Sequence, residues 1–230
     1  MSSSPAHAIA TSHDLIAGLH APHRFAYERV IEDISEMDWR SLSRDELTRV
    51  AWVYYYFSVQ FRENLEIARS LFPDDPQLER LDRGERDTDN LSPWPGVAEA
   101  GERMNHDEFM RRLLLLSPIP EQIRRRLESI GQAYLELVRG MNQTTRALSL
   151  ASYEDGGLES VFGAMLKAQD WDSPLLGAFR HFLEEHIRFD SDPDQGHGAL
   201  CRHLAPDDSI LPLWVAFHNL LATATKAKSG

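Results

Sequence analysis

One long stretch of this chain can fold only as a helix that lies among other helices. Ser43 and Glu46 form the S-x-x-E capping box that begins a helix, and the run that follows continues to Pro73. The middle of that run, residues 52–57, reads WVYYYF and is apolar around the whole circumference of a helix. A helix that is apolar all round must be covered on every side. The sequence therefore predicts a buried central helix.

Similar signals predict helices along most of the chain. Asp75 and Pro76 are a favourable cap and first residue for a helix that fades near Glu85, and Asn105 with Glu108 forms a second capping box. Apolar spacing and other start signals predict the remaining helices, at about 23–37, 120–138, 142–169 and 174–190 and after Asp207 or Asp208. No convincing strand is present. We predict one all-α domain over residues 1–230, a compact bundle of seven to eight helices with a loose segment at 1–12.

Charge and composition narrow the functional classes. The formal net charge of −12 makes nucleic acids and anionic membranes poor partners. A single cysteine, Cys201, excludes an internal disulfide and fits a reducing compartment, and it is expected in the core. The first residues lack the cationic and apolar regions of a secretory leader, and no apolar run approaches membrane-spanning length. A cytoplasmic protein is expected.

The strongest chemical signal lies near the C-terminal end. In a helix over 174–190, His186 and Asp190 lie one turn apart on the same face. A buried carboxylate needs a partner, either a cationic side chain or a metal ion that His186 also binds. The polar run SDPDQG then breaks the helix and can return His197 to the same place. A His–Asp pair without metal is the more common outcome of this spacing. Four apolar residues around the helix predict that it is mostly buried: Phe182, Leu183, Ile187 and Phe189.

Three further candidates lie on other segments. Glu85 ends a predicted helix, His106 begins one, and Glu154 precedes the glycine pair at 156–157, which weakens a helix by roughly 1 kcal/mol per glycine. Each has an ordinary explanation: Glu85 as a solvated charge at a helix end, His106 as a capping-turn residue, and Glu154 as a polar residue beside a kink. Carboxylates and imidazoles on different helices nevertheless build di-iron sites in helix bundles, and such ligands suit iron or manganese. The full set is Glu85, His106, Glu154, His186, Asp190 and His197.

In a helical chain of this length, this order of residues resembles the haem-oxygenase-like di-iron oxidases. That superfamily includes the chlamydial death-domain-associated protein, alkene-forming fatty-acid oxidases and N-oxygenases, and it is related to TenA-like folds. The resemblance covers roughly residues 45–204. It implies a bundle that holds two Fe(II) ions, or manganese, and activates O2 to oxidise a small amine, carboxylic acid or amino-acid-like substrate in a biosynthetic pathway. The resemblance implies an electron donor as a partner and is compatible with a homodimer. It implies no catalytic residues beyond the metal ligands.

The chain departs from the family's pattern at two places. The family usually has two or three residues between its Asp and its last His, whereas six residues separate Asp190 from His197 here. His203 is therefore also a candidate for the last ligand. The first Glu usually lies closer in sequence to its His than Glu85 does, so Glu99 and Glu102 are alternatives. We favour Glu85, since it ends a predicted helix, and His197, since it needs only the SDPDQG segment to bulge outward.

The resemblance also implies roles around the metals. One carboxylate, expected to be Glu154, would bridge them, and Tyr153 could hydrogen-bond a ligand. A dry shell would consist of Tyr54, Phe57, Phe109, Phe162 and Phe182. The alternatives are a metal-free TenA-like enzyme, a non-catalytic helical interaction module, or a haem oxygenase whose proximal ligand is His13, His20 or His23.

Overall fold

A computed structural model describes residues 24–86, 91–190 and 196–226, except for the side chain of Asp190. Within these residues the regular structure is helical, which confirms the all-α prediction. A kinked segment, Tyr153–Gly157, joins the sixth helix to the seventh; it is called the π-helical turn here, although the backbone at Asp155 and Gly156 is not helical. The helices are α1 (Ala26–Ser35), α2 (Arg44–Leu71), α3 (Pro76–Gly84), α4 (His106–Leu113), α5 (Glu121–Arg139), α6 (Gln143–Ser152), α7 (Leu158–Met165), α8 (Pro174–Asp190), α9 (His197–Cys201) and α10 (Leu211–Lys226).

The central helix is α2, as the sequence predicts. The Ser43 side chain accepts a hydrogen bond from the backbone N–H of Glu46, and the Glu46 carboxylate accepts one from the N–H of Ser43 at 2.8 Å, so the capping box is present. α2 packs against α3, α4, α5, α6, α8 and α10. The ring of Tyr54 lies within 6.3 Å, between centroids, of Phe57, Phe162, Phe179, Phe182 and Phe217. This aromatic core fixes the surrounding helices against one another.

Two short helices next to α2 end or begin at candidate ligands. Asp75 caps α3 by accepting from the backbone N–H groups of Gln77 and Leu78 at 2.8 and 3.1 Å, and Glu85 follows the last residue of α3. Helix α4 begins at His106 as predicted, but its predicted capping box is wrong, because the Asn105 side chain makes no capping hydrogen bond. The Glu108 carboxylate, which a capping box would direct toward the N–H of Asn105, instead accepts hydrogen bonds from Arg111 and Arg112 of its own helix at 2.6 and 2.8 Å.

The helix predicted over 142–169 is divided. Within the turn at Tyr153–Gly157, Asp155 has φ −86° and ψ 58°, and Gly156 has φ +91°, in the left-handed region that favours glycine. The division produces more helical segments than the seven or eight predicted. It also turns Glu154 toward the interior, where its side chain is buried.

The other predicted features of this region are mostly confirmed. Phe182, Leu183 and Cys201 are buried, but the expectation for Phe189 is wrong: it is 38% exposed because the last turn of α8 reaches the surface. Val97 anchors the loop before α4, and Trp94 stacks on His181 with ring centroids 4.6 Å apart. No helix in the described residues is both long and apolar enough to cross a membrane.

Candidate metal centre

Five of the six predicted ligands meet in the interior of the bundle. They come from five elements: the end of α3, the start of α4, the π-helical turn, α8 and the start of α9. All five residues are less than a tenth exposed, and they are Glu85, His106, Glu154, His186 and His197. The sixth predicted ligand, Asp190, is the last residue of α8, and its side chain lies outside the described residues.

Glu85 lies at the centre of the group. Its Oε2 is 3.0 Å from Nδ1 of His106, and its Oε1 is 3.1 Å from Nδ1 of His197. Each carboxylate oxygen therefore faces a different histidine. Glu154 contacts only the second of these, with its Oε2 at 3.2 Å from Nδ1 of His197. Glu85, rather than Glu154, is the carboxylate that lies between two histidines.

The tautomer of His186 follows from its backbone contact. Nδ1 of His186 lies 2.7 Å from the carbonyl oxygen of Phe182, one turn earlier in α8. Because a carbonyl can only accept, Nδ1 carries the hydrogen and Nε2 keeps its lone pair. That Nε2 lies 3.1 Å from Nδ1 of His106. A histidine held in this way by a backbone carbonyl is oriented as metal-binding histidines commonly are.

Close backbone packing brings His197 to Glu154. A Cβ on Gly198 would lie 2.8 Å from the carbonyl oxygen of Glu154, and a Cβ on Gly84 would lie 3.0 Å from Nε2 of His197. Both glycines thus make room for the approach of α9. One ligand atom from each of Glu85, Glu154 and His197 lies within 4.8 Å of the others, a spacing that a metal ion could span.

Burial and mutual charge set the protonation of the group. Burial raises the pKa of the Glu85 carboxyl, but the neighbouring His106, His197 and His186 outweigh this effect and hold the pKa at about 2. Burial and the charge of Glu85 raise the pKa of Glu154 well above its usual range. Burial, together with His106, lowers the pKa of His186 to about 3. The centre therefore combines one ionised carboxylate with a neutral imidazole, and neutral imidazole is the form that binds metals.

Within the centre, two buried polar atoms lack a hydrogen-bond partner among the described residues. They are Nε2 of His106 and Oε2 of Glu154, which is close to His197 but without hydrogen-bond geometry. Unsatisfied buried polar atoms are uncommon, and a bound ion would satisfy these two. The set of donors, two carboxylates and three imidazoles, fits iron or manganese.

The other candidates from the sequence lie elsewhere. Glu99 is exposed, and Glu102 accepts hydrogen bonds from Arg112 at 2.7 Å and from the N–H of Glu99 at 3.0 Å. Nε2 of His203 lies 2.5 Å from the Asp75 carboxylate. The structure therefore brings Glu85, and not either alternative, to His106, and it brings His197 to the centre while His203 is held outside.

Tyr153 also lies apart from the ligands, although it precedes Glu154. Its hydroxyl accepts a hydrogen bond from the Gln60 amide at 3.2 Å, and the Tyr134 hydroxyl donates to the Gln60 side-chain oxygen. The expectation that Tyr153 hydrogen-bonds a ligand is wrong because α2 supplies it with this buried amide instead. The three histidines considered as haem ligands, His13, His20 and His23, lie outside the described residues.

A cavity of about 50 Å³ reaches the centre between α2, α3, α4 and the turn. Three members of the predicted shell line it: Tyr54, Phe57 and Phe182. Phe109 and Phe162 pack around it, Phe109 against Phe182 and Phe162 against His186, with centroids 6.0 and 5.9 Å apart. Three other lining residues were not predicted from the sequence: Phe61, Leu65 and Leu158. The first two lie one and two turns after Phe57 on α2.

No protein-family model, curated protein or solved structure matches this chain.

Proposed function

We propose that the protein is a non-haem di-iron oxidase or oxygenase of haem-oxygenase-like type. The observation that carries the proposal is the position of Glu85, whose two oxygens face His106 and His197 at 3.0 and 3.1 Å in a buried site. Two-metal sites in helix bundles are built from carboxylates and histidines that project inward from several helices.

The ligands divide between the two sides of Glu85. His106 and His186 lie on one side, with 3.1 Å between their facing nitrogens, and His197 and Glu154 lie on the other, 3.2 Å apart. Asp190 is the proposed sixth ligand, one turn beyond His186 in α8. When bound, iron would supply the activation of O2 for oxidation of a small amine, carboxylic acid or amino-acid-like substrate.

The remaining residues would orient the ligands and exclude water. The Phe182 carbonyl fixes the ring of His186, and the side chain of Phe182 lines the cavity together with Phe57 and Leu158. An apolar wall of this kind restricts water and strengthens electrostatic interactions at the ligands. The cavity offers the substrate a route to the same place.

The test is metal content after anaerobic reconstitution with Fe(II). We expect up to two irons per chain in the unaltered protein, and less than one in Glu85→Gln, because the amide cannot serve as a shared anionic ligand. Glu159→Gln is the matched control, since Glu159 is exposed and lies five residues after Glu154. Iron and manganese that stay at trace levels in the unaltered protein would contradict the proposal and favour a metal-free helical enzyme or an interaction module.

A further inference from the structure

A groove rich in arginine opens beside the candidate metal centre. It has a volume of about 530 Å³ and is lined by four arginines and two carboxylates. The chain as a whole carries a formal net charge of −12. A locally cationic groove on such a protein selects anions, since the rest of the surface repels them. The lining side chains are Arg69, Arg83, Arg86, Arg103, Glu79 and Asp82, with Met104 and Asn105.

The groove and the cavity of the metal centre adjoin each other. Asp82, Arg86 and Asn105 line both. They are also adjacent in sequence, because the groove residues Arg86 and Asn105 are direct neighbours of the candidate ligands Glu85 and His106. A molecule bound in the groove can therefore extend into the cavity without crossing another element.

Three of the four arginines keep donors for a ligand. Arg83 donates to Glu79 at 3.0 Å, Arg86 donates to Asp82 at 2.9 Å, and Arg69 donates to a backbone carbonyl at 3.2 Å. Each contact uses one N–H group of a guanidinium that has five. Arg83 and Arg86 are also well exposed, at 71% and 61% of their side-chain surface, so an anion can reach them without displacing packed residues. Planar guanidinium groups bind carboxylate and phosphate in a bidentate manner.

The cavity beyond the groove is suited to an apolar group. Phe57, Phe61, Leu65 and Leu158 contribute to its wall. Its volume of about 50 Å³ accommodates on the order of four groups the size of water. A short hydrocarbon arm fits this space and would bring its end toward Glu85 and His106.

We propose that the groove and the cavity together bind an amphipathic anion, with its carboxylate or phosphate among the arginines and a short apolar arm in the cavity. Naming this molecule as the substrate class rests on the proposed function. The binding itself does not require metal, because none of the four arginines is a proposed ligand.

Isothermal titration of the full-length, iron-free protein tests the proposal with inorganic phosphate, ethyl phosphate and butyl phosphate. Affinity should rise by about fourfold for each methylene group that enters the cavity, as burial of apolar surface predicts. Acetate and pentanoate form a parallel series that distinguishes a phosphate head from a carboxylate head. Butylammonium should show no binding, because it carries the opposite charge.

Variants separate the two halves of the site. Arg83→Gln combined with Arg103→Gln should weaken all the anions by on the order of tenfold, through loss of charge-assisted hydrogen bonds. Ser58→Leu should remove the gain in affinity from the alkyl arm and leave the affinity for inorganic phosphate unchanged, because Ser58 lines the cavity but not the groove. Arg80→Gln is the control, because Arg80 is an exposed arginine of α3 outside the groove.

Equal affinity for inorganic phosphate and butyl phosphate would overturn the proposal and leave the groove as a surface for acidic proteins or simple anions. Unchanged binding in the double arginine variant would overturn it as well. Failure of the proposed function is a separate result. If reconstitution gave only trace iron while the alkyl series and the variants behaved as expected, the oxidase proposal would be wrong and the anion-binding proposal would stand.

Discussion

Two consecutive residues, Arg202 and His203, hold the segment of His197 against the elements that carry the carboxylates of the centre. Arg202 donates to Asp155, the neighbour of Glu154, at 2.9 Å. His203 contacts Asp75 at the start of α3, the helix that Glu85 follows. Both pairs are partly exposed, so solvent screens them, and the His203–Asp75 contact contributes at most about 1 kcal/mol. The residues that position His197 are therefore distinct from the residues that would bind metal.

Substitution of the two histidines separates ligation from positioning. His197→Ala should lose most of its bound iron and most activity, because one side of Glu85 then keeps only Glu154 among the described ligands. His203→Ala should keep both, with the free energy of unfolding lowered by at most about 1 kcal/mol through loss of its partly exposed contact with Asp75. Iron content after reconstitution and denaturant unfolding check the two parts. An iron-poor His203→Ala together with an iron-replete His197→Ala would reverse the assignment.

The π-helical turn and α9 meet more closely than side chains would permit. The absence of a side chain at Gly198 allows its backbone to lie against the Glu154 carbonyl, and the positive φ of Gly156 lets the turn reverse direction. The sequence predicted a loosened turn from the glycine pair at 156–157. It did not reveal Gly198, because that contact joins segments more than forty residues apart and depends on the path of the chain between them.

Gly198→Ala should displace α9 from the turn. The added Cβ would lie 2.8 Å from a backbone oxygen, which cannot rotate away, so the helix must move and separate His197 from Glu154. We expect a loss of about 1 to 3 kcal/mol in the free energy of unfolding, as for other overpacked sites, and a lower iron content. Gly163→Ala in α7 is the control: nothing lies within 4 Å of its Cβ, and it should stabilise the protein by about 0.4 to 1 kcal/mol. Full iron content in Gly198→Ala would show that this contact does not position His197.

Across the whole molecule, local chemistry was easier to predict than the relative positions of helices. The caps at Ser43 and Asp75 correctly gave the starts of α2 and α3, because a side chain and nearby N–H groups suffice to form them. The six candidate ligands were named from their residue types and from the family pattern that their order resembles, and the structure brings five of them together. The central place of Glu85 was not predicted, since it depends on how α3 packs beside α4 and α9.

The arginine groove illustrates the same limit. Its arginines come from three segments: Arg69 from α2, Arg83 and Arg86 at the end of α3, and Arg103 from the loop before α4. In the sequence each is an ordinary surface charge within an acidic chain. Only the packing of α3 against α2 and α4 brings them to one opening.

Metal binding should stabilise the fold as a whole, because the proposed ligands come from five separate elements and an ion would link them. A ligand at one hundred times its Kd adds about 2.7 kcal/mol, which corresponds to a rise in Tm of roughly 5 to 10 °C for a chain of this size. Anaerobic calorimetry with Fe(II), and with Mn(II) as a second probe, measures this shift. Glu85→Gln should abolish most of it and Glu159→Gln should preserve it. Iron that binds stoichiometrically without raising Tm, or that raises it equally in Glu85→Gln, would lie outside this centre.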